Sequence, residues 1–201
     1  MIQNQKRIFT VGITGASGAQ YGVTLVKELL RQSFSVHLVI TEAGWRVFKE
    51  ELQLNTEHRE ALLEDMFNEG YEHLTVHDLW DVGASIASGS FRTEGMIIIP
   101  CSMGTLSGIA HGASGNLLER AADVMLKEGR KLVIVPRETP LHQIHLENML
   151  KLTKMGATIL PAMPGFYHLP ESLDDLVRFV VGKALDRLEV PHQLFKRWGE
   201  Q

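Results

Sequence analysis

Ile8-Phe9-Thr10-Val11-Gly12-Ile13-Thr14-Gly15-Ala16-Ser17-Gly18-Ala19 decides how this chain is read. Its first half is an apolar run rich in β-branched residues, its second half is small residues and glycine, and a helical pattern (Val23, Leu25, Val26, Leu29, Leu30) follows at once. Such a succession predicts a buried strand, a tight loop and the N-terminus of a helix. The unpaired amides of a first helical turn and the helix dipole favour an anion there, and glycine permits close approach, so the junction is expected to bind phosphate. The glycines at 12, 15 and 18 match neither the G-x-G-x-x-G dinucleotide spacing nor the G-x-x-x-x-G-K-[ST] phosphate loop. What remains distinctive is Ser17, a hydroxyl at the loop tip; the plain alternative is an ordinary turn with a serine N-cap.

Outward from this stretch, strand and helix patterns alternate. Residues 35–40 form a second apolar strand that stops at Thr41, placed as a helix cap, and residues 45–69 carry helical spacing interrupted at Asn55-Thr56. Residues 71–76 suit a short edge strand. Residues 84–90 read as a helix running into a loop, and the whole segment 70–93 reads as too polar and glycine-rich for the core. Residues 95–101 are a third strand, apolar on both faces, which empties into Ser102-Met103-Gly104-Thr105; a strand of that kind belongs inside a parallel sheet covered by helices. A helical stretch over 116–126, a strand over 131–136 ending in Arg137-Glu138, a helix over 142–155, a short strand over 157–160 and a capped helix from Ser172 complete the chain. The alternation predicts an α/β fold: a single doubly wound domain over residues 1–201, with a central parallel sheet of the Rossmann or flavodoxin kind. Ligands of such sheets sit at the carboxyl ends of the strands, which gathers Ser17, Thr41, Cys101 to Gly104 and Arg137-Glu138 on one rim.

With 44% hydrophobic residues in 201, the chain can fill one core. A net charge of −4 argues against coating nucleic acid. Cys101 is the only cysteine, the N-terminus lacks a secretory pattern, and no apolar run is long enough to span a bilayer, so a cytoplasmic protein is expected. His142 and His145 share a helix face without an evident third ligand, so no metal site is expected. Three hydroxyl-bearing small-residue loops and one arginine suit a planar cofactor with a single phosphate, and flavin mononucleotide (FMN) fits.

Six ordered motifs then carry a family resemblance: Gly12-Ile13-Thr14-Gly15-Ala16-Ser17-Gly18-Ala19, Ala87-Ser88-Gly89-Ser90, Pro100-Cys101-Ser102-Met103-Gly104-Thr105-Leu106-Ser107, Glu119-Arg120-Ala121-Ala122-Asp123-Val124, Pro136-Arg137-Glu138-Thr139-Pro140 and Pro164-Gly165-Phe166-Tyr167-His168. Together they resemble the flavin prenyltransferases of the UbiX/Pad family, from the first strand to the Arg-Trp-Gly tail. The resemblance implies transfer of a dimethylallyl group from dimethylallyl phosphate to N5 and C6 of reduced FMN. It also implies a homododecamer, and a UbiD-type decarboxylase as the partner that receives the prenylated FMN. By the same resemblance Gly15, Ala16, Ser17, Thr41, Ser88, Cys101, Ser102, Met103, Gly104 and Arg137 would contact FMN. Tyr167 and Lys183, with Arg120 and Lys127 nearby and Trp198 as an aromatic wall, would hold the donor, and Ser17, Glu51 and Glu138 would serve the chemistry.

Residue types agree with that chemistry. Breaking an allylic C–O bond without a metal needs cations on the leaving phosphate and a proton donor or relay, and the allyl cation is stabilised by π faces. Lys183 stands where the family commonly has arginine, which replaces a bidentate fork with a point charge. Glu51 is chosen over Glu50 by spacing. Cys101 reads as a small buried residue, and Arg120 with Glu119 and Asp123 could be no more than a helix salt-bridge cluster. Two other functions share the fold: an FMN-dependent decarboxylase of peptidyl-cysteine, whose Pro-x-Met-Asn stretch is replaced here by Pro161-Ala162-Met163-Pro164, and a non-catalytic FMN carrier, which has no need of Arg120, Lys127, Arg137 and Lys183.

Overall fold

The structure is a computed structural model that describes residues 7–199. Strand β1 (Ile8–Ile13) sits inside a six-stranded sheet of order β3-β2-β1-β4-β5-β6, with β2 (Ser35–Ile40), β3 (Leu74–His77), β4 (Gly95–Cys101), β5 (Leu132–Pro136) and β6 (Thr158–Ile159). Every neighbouring pair is parallel. The chain leaves β1 toward β2 on one side and returns as β4 on the other, so the switch point of this doubly wound sheet lies between β1 and β4.

Both faces of the sheet are covered at its centre, which is why β4 and β5 are apolar and buried throughout. Phe9, Val11, Ile13, Ile97, Ile99, Val133 and Val135 point into one layer, packed by α1 (Ala19–Arg31), α2 (Glu42–Leu52), α3 (Arg59–Met66) and α7 (Leu173–Arg187). Met96, Ile98, Leu132 and Ile134 point into the other, packed by α4 (Met103–Ala110), α5 (Leu117–Lys127) and α6 (Gln143–Lys154). Several helix starts are set by local hydrogen bonds that satisfy first-turn amides. Thr41 accepts from the Gly44 amide, Ser102 from Thr105, Asn116 from Glu119, and Ser172 forms a capping box with Asp175.

Two expectations need correction. Residues 84–90 contain one 3₁₀ turn, Ser85–Ala87, rather than a helix, and segment 70–93 does enter the core: Leu79 and Ile86 are buried against α5, and the Leu117 amide donates to the Leu79 carbonyl. The polar residues around them supply loop hydrogen bonds while two apolar side chains anchor the segment, a pattern too sparse for periodicity to reveal. Helix α4 was not anticipated, because its Gly and Ser content lowers intrinsic helix propensity. The Ser102 cap and burial of Leu106 and Ile109 make it a helix regardless.

Gly22 lets α1 lie directly on the strands that carry the rim. A Cβ there would stand 2.7 Å from the Ile99 carbonyl oxygen and 2.6 Å from a terminal carbon of Ile13. Alanine in place of glycine gains about 1 kcal/mol of helix propensity, but forcing the helix off the sheet costs about 1–3 kcal/mol. Gly22→Ala is therefore expected to lower the urea midpoint, which an unfolding titration against wild type will show.

Candidate functional site

Pro100 shapes the switch point. It lies inside β4, where it has no amide to give the ladder, and the β4–β5 register shifts between Ile98 and Cys101. Its carbonyl is turned to Thr14 at the end of β1 and accepts from both the Thr14 amide, at 3.2 Å, and the Thr14 hydroxyl, at 2.9 Å. The same hydroxyl accepts from the Ser102 amide at 2.7 Å. Thr14, only 1% exposed, thus ties the Gly15–Ser17 loop to the start of α4. Sequence reasoning passed over it; the available signal was a threonine directly after the apolar end of β1, ahead of the glycine loop.

The first turn of α1 holds an anion, but one that the chain supplies. Glu51, at the end of α2, accepts from the amides of Gly18 and Ala19 at 2.8 and 3.1 Å and from the Ser17 hydroxyl. Burial works to raise its pKa, yet these three hydrogen bonds and the charge of Arg137 outweigh it, and the carboxyl is held below the ordinary carboxylate range. The expectation that this helix end binds phosphate is therefore corrected: its leading amides are taken. Gly15 likewise serves packing, since a Cβ there would lie 2.3 Å from that of Ala43. Gly18 serves conformation, at φ 106° as the N-cap.

The other rim residues converge on the same edge. Ala16, Cys101 and Met103 are buried, so what they offer the rim is backbone. Burial pushes the Cys101 thiol far up, which leaves it protonated and unsuited to nucleophilic attack. The Arg137 amide donates to the Cys101 carbonyl, and its Nε is buried without a partner among the described residues. Glu138 turns outward, accepts from the Thr139 amide at 3.0 Å and makes no ion pair with Arg137. A cavity of about 280 Å³ opens beside them, lined by Arg137, Glu138, Leu141, Met149 and Met163. The wider groove between α1 and α7, about 650 Å³, contains none of these residues; four of its charged side chains pair as Glu28–Arg31 and Asp174–Arg178.

The remaining candidates fall into two groups. Tyr167 and Trp198 meet edge to face at 5.5 Å, and Lys183 on α7 lies 3.9 Å from Asp186, which also binds Arg197 next to Trp198. Arg120 and Lys127 are elsewhere. They belong to α5, where Arg120 donates to the Ala87 carbonyl and pairs with Asp123, and Lys127 pairs with Glu128, beside the exposed Ser88. Because α5 and α7 cover opposite faces of the sheet, one chain does not bring Arg120 and Lys127 to Tyr167 and Lys183, and the expectation that they lie nearby within the chain is corrected. His142 and His145 stack at 3.4 Å, with no group of three metal-ligating side chains among the described residues.

Comparison with known proteins gives the chain its family. The flavoprotein family model matches residues 2–185. A flavin prenyltransferase UbiX from Alkalihalophilus pseudofirmus is 69% identical over 200 residues, covering 100% of both chains. The chain belongs to the flavin prenyltransferases of the UbiX family. Among solved structures it is similar to AnUbiX (PadA1) in complex with FMN and dimethylallyl pyrophosphate, with TM-score 0.87 and 40% identity over 97% of this chain and 98% of that one. It is also similar to a dodecameric FMN-dependent UbiX-like decarboxylase from Escherichia coli O157:H7, with TM-score 0.83 and 46% identity over 95% and 98%. The protein is thus an enzyme that prenylates FMN, on a flavodoxin-like fold.

The rim of this flavin prenyltransferase fits that group. The orphaned Arg137 Nε is a buried donor awaiting an acceptor, and a Cβ on Gly104, in the first turn of α4, would meet nothing within 4 Å, so that turn faces open space. In this prenyltransferase Thr14→Val keeps the shape but strands the Ser102 amide, an unmet bond that costs about 1–3 kcal/mol when buried. Reduced FMN retention on a desalting column and a lower unfolding midpoint are expected, with Thr14→Ser restoring both. Glu51 gives a pH test. Its pKa is lowered on folding, so its stabilisation is complete above the unfolded value and is lost as pH falls through the folded one. Wild type should therefore lose stability below about pH 4.3, the ordinary glutamate value, more steeply than Glu51→Gln in acid unfolding curves.

Proposed function

We propose that the enzyme joins the dimethylallyl group of dimethylallyl phosphate to N5 and C6 of reduced FMN, and that the product serves a UbiD-type decarboxylase. The observation that carries this reading is the Ser17–Glu51 pair, ionised and pinned on backbone amides beside Arg137. Bound FMN supplies the nucleophilic ring atoms. Arg137 neutralises negative charge with its free buried Nε, the backbone of Gly15 and Ala16 lines the flavin edge, and Thr41, Ser102 and the first turn of α4 at Gly104 cradle the flavin phosphate in place of the occupied α1 terminus. The Ser17 hydroxyl would act as a relay, taking up the proton released by the prenyl acceptor as it gives its own to the Glu51 carboxylate. Lys183 and Tyr167 bind the donor phosphate, Trp198 offers a π face to the allyl group, and Glu138 carries a proton at the departing phosphate oxygen.

Arg120, Lys127 and Ser88 enter this reading from a second copy of the chain. They lie on the opposite layer from Tyr167, and the similar E. coli protein is dodecameric, so we take a homododecamer as the working assembly. Residues 1–201 act as one unit. A cytoplasmic setting suits a chain whose single cysteine is a buried free thiol, and no helix of the described residues is long and apolar enough to cross a membrane. Decarboxylation belongs, in this reading, to the partner that takes up the product.

The test is a mass spectrum of flavin released after incubation with reduced FMN and dimethylallyl phosphate without added metal, run for wild type and Glu138→Gln. Wild type should yield FMN heavier by one dimethylallyl unit. The glutamine variant keeps shape but moves no proton, so its rate should fall by about 10²–10⁴-fold with FMN content unchanged. Prenylation within a few-fold of wild type would leave Glu138 without a part in the chemistry.

A further inference from the structure

Asp186, in the last turn of α7, gathers more partners than any helix salt bridge requires. Arg197 grips it with both terminal nitrogens, at 2.7 and 3.1 Å; His192 Nε2 lies 3.1 Å from Oδ1, and Lys183 Nζ lies 3.9 Å from Oδ2. The His192 ring nitrogen Nδ1 accepts from the Leu194 amide at 3.2 Å, which places the proton on Nε2, where it donates to Asp186. His192 is buried, and a Cβ on Gly182 would collide with Phe195 and His192, so the tail after α7 is packed directly on the helix. Arg197 is the last residue so fixed. The next one, Trp198, is 81% exposed yet stands edge to face with Tyr167. Between them is a cavity of about 190 Å³ whose walls are the tail residues 196–199 and the loop residues 167–169.

We propose that Asp186 is a positioning residue for donor binding: it pins the C-terminal tail to α7 so that Trp198 stands over Tyr167 and closes one wall of the donor pocket. The physical reason is charge. One carboxylate holds two cations, Arg197 from the tail and Lys183 from the helix, in proximity; without it they repel, and beyond the packed Phe195 the exposed Trp198 buries little surface against Tyr167. Asp186 touches neither flavin loop, so it acts on the donor side only. This inference rests on the proposal that Tyr167, Lys183 and Trp198 bind the prenyl phosphate.

The experiment compares Asp186→Asn, Arg197→Gln, Trp198→Ala and the Asp186→Asn/Trp198→Ala double variant with wild type, each as the FMN-loaded protein. Two readings are taken: the rate at which trypsin releases the C-terminal fragment beyond Lys196 or Arg197, and KM for dimethylallyl phosphate against kcat. We expect Asp186→Asn to speed tail release and raise KM by about tenfold each with FMN content unchanged, Arg197→Gln to raise KM likewise, and the double variant to be no worse in KM than Trp198→Ala. Arg197→Gln breaks the same pair from its exposed side and keeps the test open if Asp186→Asn misfolds. Wild-type tail release and KM in Asp186→Asn, or wild-type KM in Arg197→Gln if only that variant folds, together with a raised KM in Trp198→Ala, would overturn the positioning role alone. A wild-type KM in Trp198→Ala would instead remove Trp198 from the donor pocket, and this inference with it.

Discussion

A proline carbonyl in the middle of the sheet governs the site. Pro100 cannot feed the β4–β5 ladder, and its oxygen is spent on Thr14, whose hydroxyl in turn holds the Ser102 amide. Three buried groups that would otherwise be unpaired satisfy one another across the switch point. The loop after β1 and the helix after β4 are consequently set as one body. Breaking a parallel ladder in its interior is normally unfavourable; here the break supplies the geometry that joins two loops.

The second organising feature is a substitution of one anion for another. A helix N-terminus preceded by a glycine loop attracts negative charge, and in α1 that charge is the Glu51 carboxylate. The consequence is chemical. A phosphate there would have Ser17 as a ligand, whereas the Glu51 carboxylate, held by two amides, takes the Ser17 hydroxyl as its third donor. Arg137 supports the same carboxylate electrostatically from the end of β5, so the ends of two strands and of helix α2 contribute to one small network.

The two layers of helices also divide the labour. The α7 side carries Tyr167, Lys183 and the tail, and the α5 side carries Arg120, Lys127 and the Ser88 loop, with the sheet between them. Arg120 and Lys127 are each engaged with an acidic neighbour on α5, so in an isolated chain they act as structural groups. The cationic set Arg120, Lys127 and Lys183 is thus split by the thickness of the sheet.

Sequence alone determined the α/β alternation, the parallel sheet and the rim, because strands buried on both faces must be apolar throughout and ligands of such sheets gather where they end. It also determined the family, since six motifs in order leave little freedom, and it singled out Ser17, Glu51, Arg137 and Glu138 as candidates. Tertiary structure alone decided which anion fills the α1 terminus, because the Glu51 carboxylate reaches it from 32 residues away in the chain. The same holds for the separation of Arg120 from Tyr167, which depends on the face each helix covers, and for Thr14 and Asp186, whose partners are set by packing and not by any local pattern. Helix α4 and the buried Leu79 and Ile86 escaped for the complementary reason: propensity and periodicity are summed over windows, while a single cap or one anchored side chain is enough to place a segment once the rest of the core exists.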